Sequence, residues 1–303
     1  MKNIEKSHVE DDSSSFEPLP DDVVLQIFSK LIDLKTLCRC KPVSKRFYRI
    51  ILQVDTISFI AKHRIFLSSF SSVIRSLKFF GGLKSLCIQV PLSRVDCPLF
   101  KWKVKFRGKL DSFIFLSPNS IYSNKESYIN ANGQDQEEEE DMELRELKHI
   151  DALECLKKSV MRHFILLSCI KSIPSLEKVS IMDCDKRWRV SASGAKVTEM
   201  RNDLLTLPSE SHYLRLEFGC RVSRCYVPLL ELPISGYVMK GVTVFLCERE
   251  DLLEDEYDSF WKTVEADFED KEEAAYCEAM MEIFKNHMGR IERLNHLAAV
   301  VDF

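Results

Sequence analysis

The sequence predicts a chain of the α/β class, α+β overall: three short helices near the N-terminus, then a larger domain of irregular, repeat-like strands and helices closed by a C-terminal capping helix. Three observations predict it. The stretch "LPDDVVLQIFSKL" (residues 19–31) concentrates large apolar side chains at helical spacing directly behind a proline. A pattern of the form Leu-x-x-Leu-x-Ile begins at Leu83 and returns twice. Two long segments, 142–172 and 272–301, carry apolar residues every three or four positions.

The first helix starts at Pro20, whose missing N–H costs nothing at that position, and Asp21 and Asp22 place negative charge on the positive end of the helix dipole. Val23, Ile27 and Leu31 recur at four-residue spacing while Val24 and Phe28 fill the adjacent stripe, so much of the circumference is apolar. Such a helix must touch neighbours on two sides. Asp33 is placed to cap a second helix, "LKTLCRC", and Pro42 to open a third whose Val43, Phe47, Ile50 and Ile51 share a face. Three helices in so few residues cannot hide all these side chains among themselves. They either cap the core of the downstream domain or dock on a partner.

The residues "LPDDVVLQIFSKLIDLKTLCRCKPVSKRFYRI" resemble an F-box. The Leu19-Pro20-Asp21 opening, Val23, Ile27-Phe28, Leu31, Leu37, Val43-Ser44-Lys45-Arg46 and the aromatic Phe47 fall in register, with Phe47 standing where Trp is common in the family. The resemblance implies docking on the Skp-type adaptor of a cullin ubiquitin ligase. The contacts it implies are Leu19, Pro20, Val23, Ile27, Phe28, Leu31, Leu37, Val43 and Phe47, with Ile27, Phe28 and Leu31 as anchors.

Composition bounds the partners. The chain has 303 residues, 45% apolar and 30% charged, and a formal net charge of −4, which gives no whole-chain reason to expect nucleic acid or an anionic membrane. The charge is unevenly spread: residues 34–109 hold 17 Lys/Arg against Asp55 and Asp96, whereas residues 248–303 hold 17 Asp/Glu against 6 Lys/Arg. No apolar run reaches the roughly 18–20 residues of a membrane span, and the N-terminal residues lack the apolar stretch of a secretory signal. An intracellular protein of nucleus or cytoplasm, without a membrane partner, is expected. Eleven cysteines, an odd number and several in apolar patterns such as "SLCIQV", read as reduced, buried thiols.

Beyond a flexible tail at 1–17 and the F-box at 18–60, residues 61–303 are expected to form one leucine-rich-repeat-like, target-binding domain. Its pattern is Leu83-x-x-Leu86-x-Ile88, Leu110-x-x-Phe113-x-Phe115 and Leu176-x-x-Val179-x-Ile181. Between the second and third falls "SNKESYINANGQDQEEEED", polar and acidic, which reads as a disordered insertion at about 120–142. A long helix follows at 142–172, with Leu144, Leu147, Leu153, Leu156, Val160 and Phe164 as its apolar stripe. Strands are expected at "KWKVKF", "RWRVSA", "YLRLEF" and "GVTVFLCE". In the last helix Tyr276, Met280, Phe284, Met288, Ile291 and Leu294 line one side, weakened at Gly289, and cover the end of the stack. The stretches "VPLLELPISGYVMKGVTVFLCERED", "LCIQVPL" and "FKWKVKF" are similar to plant F-box proteins of the auxin up-regulated group. That similarity implies a C-terminal part that recruits a target protein.

No catalytic or cofactor constellation emerges, so no cofactor and no enzymatic activity are expected. A RING-type ligase needs paired Cys-x-x-Cys ligands, and Cys38-x-Cys40 and Cys220-x4-Cys225 do not supply them. Gly81-Gly82 has no following Lys-Ser/Thr to make a phosphate loop. Cys155 with His163, and Cys169 with His149, lie too far apart along one helix to meet. "KWKVKFRGK" (101–109) would set Trp102, Val104 and Phe106 on one face and Lys101, Lys103, Lys105 and Arg107 on the other. A solvated face, an acidic partner or single-stranded nucleic acid fits that ribbon.

The expected function is therefore a non-catalytic substrate receptor. Its partners would be the Skp-type adaptor, through it a cullin scaffold, and a target protein. The alternatives are an F-box binding protein outside any ligase, or a nucleic-acid binder that uses 101–109.

Overall fold

The computed structural model describes residues 19–31, 33–61, 70–90, 99–107, 109–132, 141–183, 189–206, 220–249 and 271–294. Its elements begin with α1 (Asp21–Ser29), α2 (Leu34–Cys40), α3 (Lys45–Ile51), β1 (Thr56–Ile60), α4 (Phe70–Leu77) and β2 (Ser85–Val90). There follow β3 (Lys101–Arg107), β4 (Lys109–Ser117), β5 (Ser120–Tyr122), α5 (Lys125–Asn132), α6 (Met142–Ser172), β6 (Lys178–Asp183) and β7 (Arg189–Ser193). The chain continues through α7 (Ala195–Thr206), β8 (Cys220–Glu231), β9 (Val238–Arg249), α8 (Lys271–Asn286) and β10 (Ile291–Arg293). Instead of a boundary at residue 60, the chain divides into a unit of residues 1–92 with 168–201 and a unit of residues 93–167 with 202–303.

In the first unit the strands run in the order β1-β2-β6-β7. The first three are parallel, and β7 returns antiparallel to β6. The register aligns Ile57 with Leu86 and Leu86 with Val179, and likewise Phe59 with Ile88 and Ile88 with Ile181, all buried. Two of the expected repeats thus stack directly. A third equivalent, Val54-x-x-Ile57-x-Phe59, holds no leucine and so escapes a leucine-based pattern. The backbone repeats as well: Asp55 O accepts from the N–H groups of Lys84 and Ser85, and Lys84 O accepts from those of Glu177 and Lys178, at 2.8–2.9 Å. α1–α3 belong to this same unit, and α2 contacts β1.

The remaining match, Leu110-x-x-Phe113-x-Phe115, lies in β4 of the second unit, where pairing is antiparallel in the order β10-β8-β9-β4-β3 with β5 also on β9. It is not a repeat of the others. "FIFL" is a continuous apolar run because both faces of this sheet are covered. Ile114 and Leu116, with Val242 and Val244, pack against Ala275, Tyr276, Ala279, Met280 and Ile283 of α8. Phe113, Phe115, Phe245 and Cys247 pack against Ala152, Cys155, Leu156 and Val160 of α6. The C-terminal helix therefore covers a sheet face rather than the end of a stack. It stops at Asn286, and Ile291 enters β10 instead of continuing the helical stripe, because pairing with β8 satisfies backbone groups that a helix weakened at Gly289 would hold poorly.

Three further expectations change. The segment 120–132 is ordered: β5 pairs with β9, Tyr122 meets Tyr128 edge-on at 5.4 Å, and Asn124 Oδ1 accepts from Ser127 N at 2.7 Å to open α5. α6 has the predicted bounds, but its stripe is rotated. Leu147 is 54% exposed while Lys148 is 4% exposed. The Lys148 ammonium is buried because it donates to Ser117 O (3.0 Å), Asn119 Oδ1 (2.5 Å), Gly241 O (2.8 Å) and Thr243 Oγ1 (3.2 Å). Gly241 has φ +59°, and a Cβ there would overlap the Asn119 side chain. The third helix begins at Lys45, not Pro42, with Ser44 as its cap. "YLRLEF", the 1–17 tail and the acidic run 133–140 lie outside the described residues.

Candidate docking site on the N-terminal helices

Three short helices hold their geometry through polar caps. Pro20 precedes α1 with φ −58°, and Asp21 accepts from Arg46 Nε at 2.7 Å while Arg46 also donates to Leu19 O, tying α3 to the start of α1. Asp33 accepts from Lys35 N and Thr36 N at 3.2 Å and from the Thr36 hydroxyl at 2.5 Å. The Thr36 hydroxyl above all holds the Asp33 carboxyl below its ordinary range. Ser44 Oγ accepts from Phe47 N at 3.1 Å and starts α3.

These caps fix which apolar side chains face inward. Val24, Phe28, Leu34, Leu37, Ile50 and Ile51 are buried, and Phe28 meets Phe47 edge-on at 5.2 Å. Phe28 and Leu37, expected among the partner contacts, are 5% and 1% exposed, which makes them core residues of the helices themselves. The rest of the expected set stays at the surface: Pro20 is exposed, Leu19, Val23, Leu31 and Phe47 are half-buried, and Ile27 and Val43 are 40% and 66% exposed. α1 thus has two apolar rows. Val24 and Phe28 face the core, while Val23 and Ile27, one turn apart, form an outer row, and Leu31 lies half-buried just past the end of the helix.

A residue set beyond the expected contacts lies on the far side of α3. Lys41, Pro42, Ser44, Lys45, Tyr48 and Arg49 line a shallow depression. Lys41 Nζ stands 4.7 Å and 4.6 Å from the ring centres of Phe79 and Phe80. Burial lowers its pKa from the ordinary lysine value. The signal was the basic run "KPVSKRFYR", which is helix and turn here.

The candidate nucleophiles are placed for packing. Burial pushes the Cys155 thiol up to about 12 and raises Cys169 and Cys225 as well, the reverse of what a reactive thiolate needs. His163 stacks on Phe106 at 3.9 Å, and His149 stands edge-on to Phe245 at 5.1 Å. β3 forms as expected at the end of its sheet, with Trp102, Val104 and Phe106 packed inward. The side chains of Lys103, Lys105 and Arg107 lie outside the described residues, and Lys101 Nζ stands 6.0 Å from the Tyr276 ring centre. Among the described residues no helix is long and apolar enough to cross a membrane.

With this geometry in view, the class follows from comparison. Residues 16–55, which span all three helices, match the family described as F-box-like. The chain carries an F-box-like domain and is similar, well beyond that segment, to F-box proteins of Arabidopsis thaliana. F-box protein AUF1 is 25% identical over 334 residues, covering 92% of this chain and 98% of that protein. F-box protein AUF2 is 22% identical over 268 residues, covering 76% of this chain and 84% of that protein. No solved structure matches the chain.

Proposed function

We propose that this chain is the substrate-recognition subunit of a Skp/cullin/F-box ubiquitin ligase. The observation that carries the proposal is the outer apolar row of Val23 and Ile27 on α1, continued by Leu31 just past the helix and left at least partly exposed on a segment that matches the F-box-like family. With Leu19, Pro20, Val43 and Phe47 it forms the contact for a Skp-type adaptor, and through the adaptor the chain joins a cullin. Phe28 and Leu37 support that surface from beneath.

The second unit holds the target protein. Its independent core and the similarity to AUF1 over nearly the whole chain support a role beyond adaptor docking. Ubiquitin transfer then proceeds by proximity, because tethering raises the effective concentration of target lysines near the ubiquitin-loaded enzyme. The chain itself contributes no bond-making group and needs no cofactor, and it works inside the cell, in nucleus or cytoplasm.

Co-purification with the Skp-type adaptor and cullin tests the proposal. Wild type should bring down both, and the double variant Val23→Asp/Ile27→Asp neither, while keeping its circular dichroism spectrum. A folded wild type that captures no adaptor would overturn the proposal.

A further inference from the structure

We infer that the depression on α3 is a second contact for the docked partner, and that the partner presents an acidic segment there. The inference rests on the adaptor-docking proposal and adds to it a separate surface with its own chemistry.

From Leu34 to Val54 the chain holds Lys35, Arg39, Lys41, Lys45, Arg46 and Arg49 and not one acid. Of the acids just before this stretch, Asp21 is taken by Arg46, Asp33 caps α2, and Asp22 is exposed in the first turn of α1. Among the described residues Lys45 and Arg49 form no ion pair, and both are exposed. On α3 they flank Tyr48, 50% exposed, while Ile50 and Ile51 face the core and Phe47 faces Phe28. At 100° per residue, Lys45, Tyr48 and Arg49 share the face opposite that packing. Lys41, held over two phenylalanine rings, closes one side of the depression. Three cations and the exposed Tyr48 line the depression, with no carboxylate among the lining residues.

Uncompensated like charges on one concave surface repel one another until a partner brings carboxylates. The apolar row of α1 carries no charge of its own to orient an incoming protein. The cationic depression supplies that orientation, so its effect falls mainly on the association rate.

The full chain and the purified Skp-type adaptor test this by association kinetics at several salt concentrations. The variant Lys41→Glu/Lys45→Glu/Arg49→Glu should associate at least about tenfold more slowly at low ionic strength, with a flattened salt dependence and dissociation changed by less than about threefold. A variant of equal net charge, Lys171→Glu/Lys178→Glu/Lys196→Glu, should keep the wild-type rate and salt dependence. Equal slowing in both variants, or none in the first, overturns the inference while leaving the docking proposal intact. If wild type does not associate but folds, the docking proposal fails, and this inference with it.

Discussion

Ile27 and Phe28 are neighbours in sequence, yet they should fail in opposite ways. Ile27 is 40% exposed on the outer row of α1, and Phe28 is 5% exposed beneath it. Burying a whole isoleucine side chain is worth about 1.5–3 kcal/mol, and a partner can remove only the two fifths still in water. Ile27→Ala should therefore cost about 0.6–1.2 kcal/mol of binding, a rise in Kd of about three- to eightfold, and about 1–2 kcal/mol of stability for the three fifths already buried in the fold. Ile27→Asp would bury a carboxylate at the contact and should raise Kd at least about a hundredfold. Phe28→Ala should instead leave a cavity against Phe47 and cost about 3–5 kcal/mol of folding stability. Titration calorimetry against the purified adaptor, with urea unfolding of each variant, separates the two. If Ile27→Asp binds within about twofold of wild type while folded, the outer row is not the contact and the reasoning from exposure is refuted.

Three further outcomes follow from the second unit. Lys148→Met removes the donor shared by Ser117 O, Gly241 O, Asn119 Oδ1 and Thr243 Oγ1, and denaturant unfolding should show a loss of about 2–4 kcal/mol from the acceptors left dry. Gly241→Ala adds a clash with Asn119 to an unfavourable φ and should cost about 1–3 kcal/mol, whereas Gly236→Ala, at φ +76° with nothing within 4 Å of its Cβ, should cost only the backbone part, about 1 kcal/mol. Cys155, its thiol pushed up to about 12, should resist iodoacetamide in the native protein at pH 8 and react on unfolding. Because its folded pKa lies above the ordinary thiol value of 9.0, the neutral thiol favours the fold fully below that value, and this contribution is lost as pH rises above it. Rapid labelling of Cys155 without unfolding would contradict the packing described.

Local signals were legible wherever one residue acts on its near neighbours. Asp33 as a cap, a helix start within one residue of Pro20, which itself stays outside α1 with ψ 150°, and the bounds of α6 all come from chemistry within a turn or from helical periodicity. The stripe of α6 was not legible, because Lys148 looks like a solvent residue until four carbonyl or side-chain oxygens from distant parts of the chain surround it. Nor was the order of 120–132, since β5 becomes a strand only by pairing with β9.

By itself the sequence determined the three N-terminal helices, the surplus of apolar side chains on α1, and the alternation of strand and helix that follows. Only the tertiary structure decided that Val24 and Phe28 turn inward while Val23, Ile27 and Leu31 stay out. It also sent one of three similar leucine patterns to an antiparallel sheet and left two to stack in parallel beside a third without leucine. The reason is physical: periodicity fixes which side chains share a face, but which face is buried depends on what the rest of the chain brings against it.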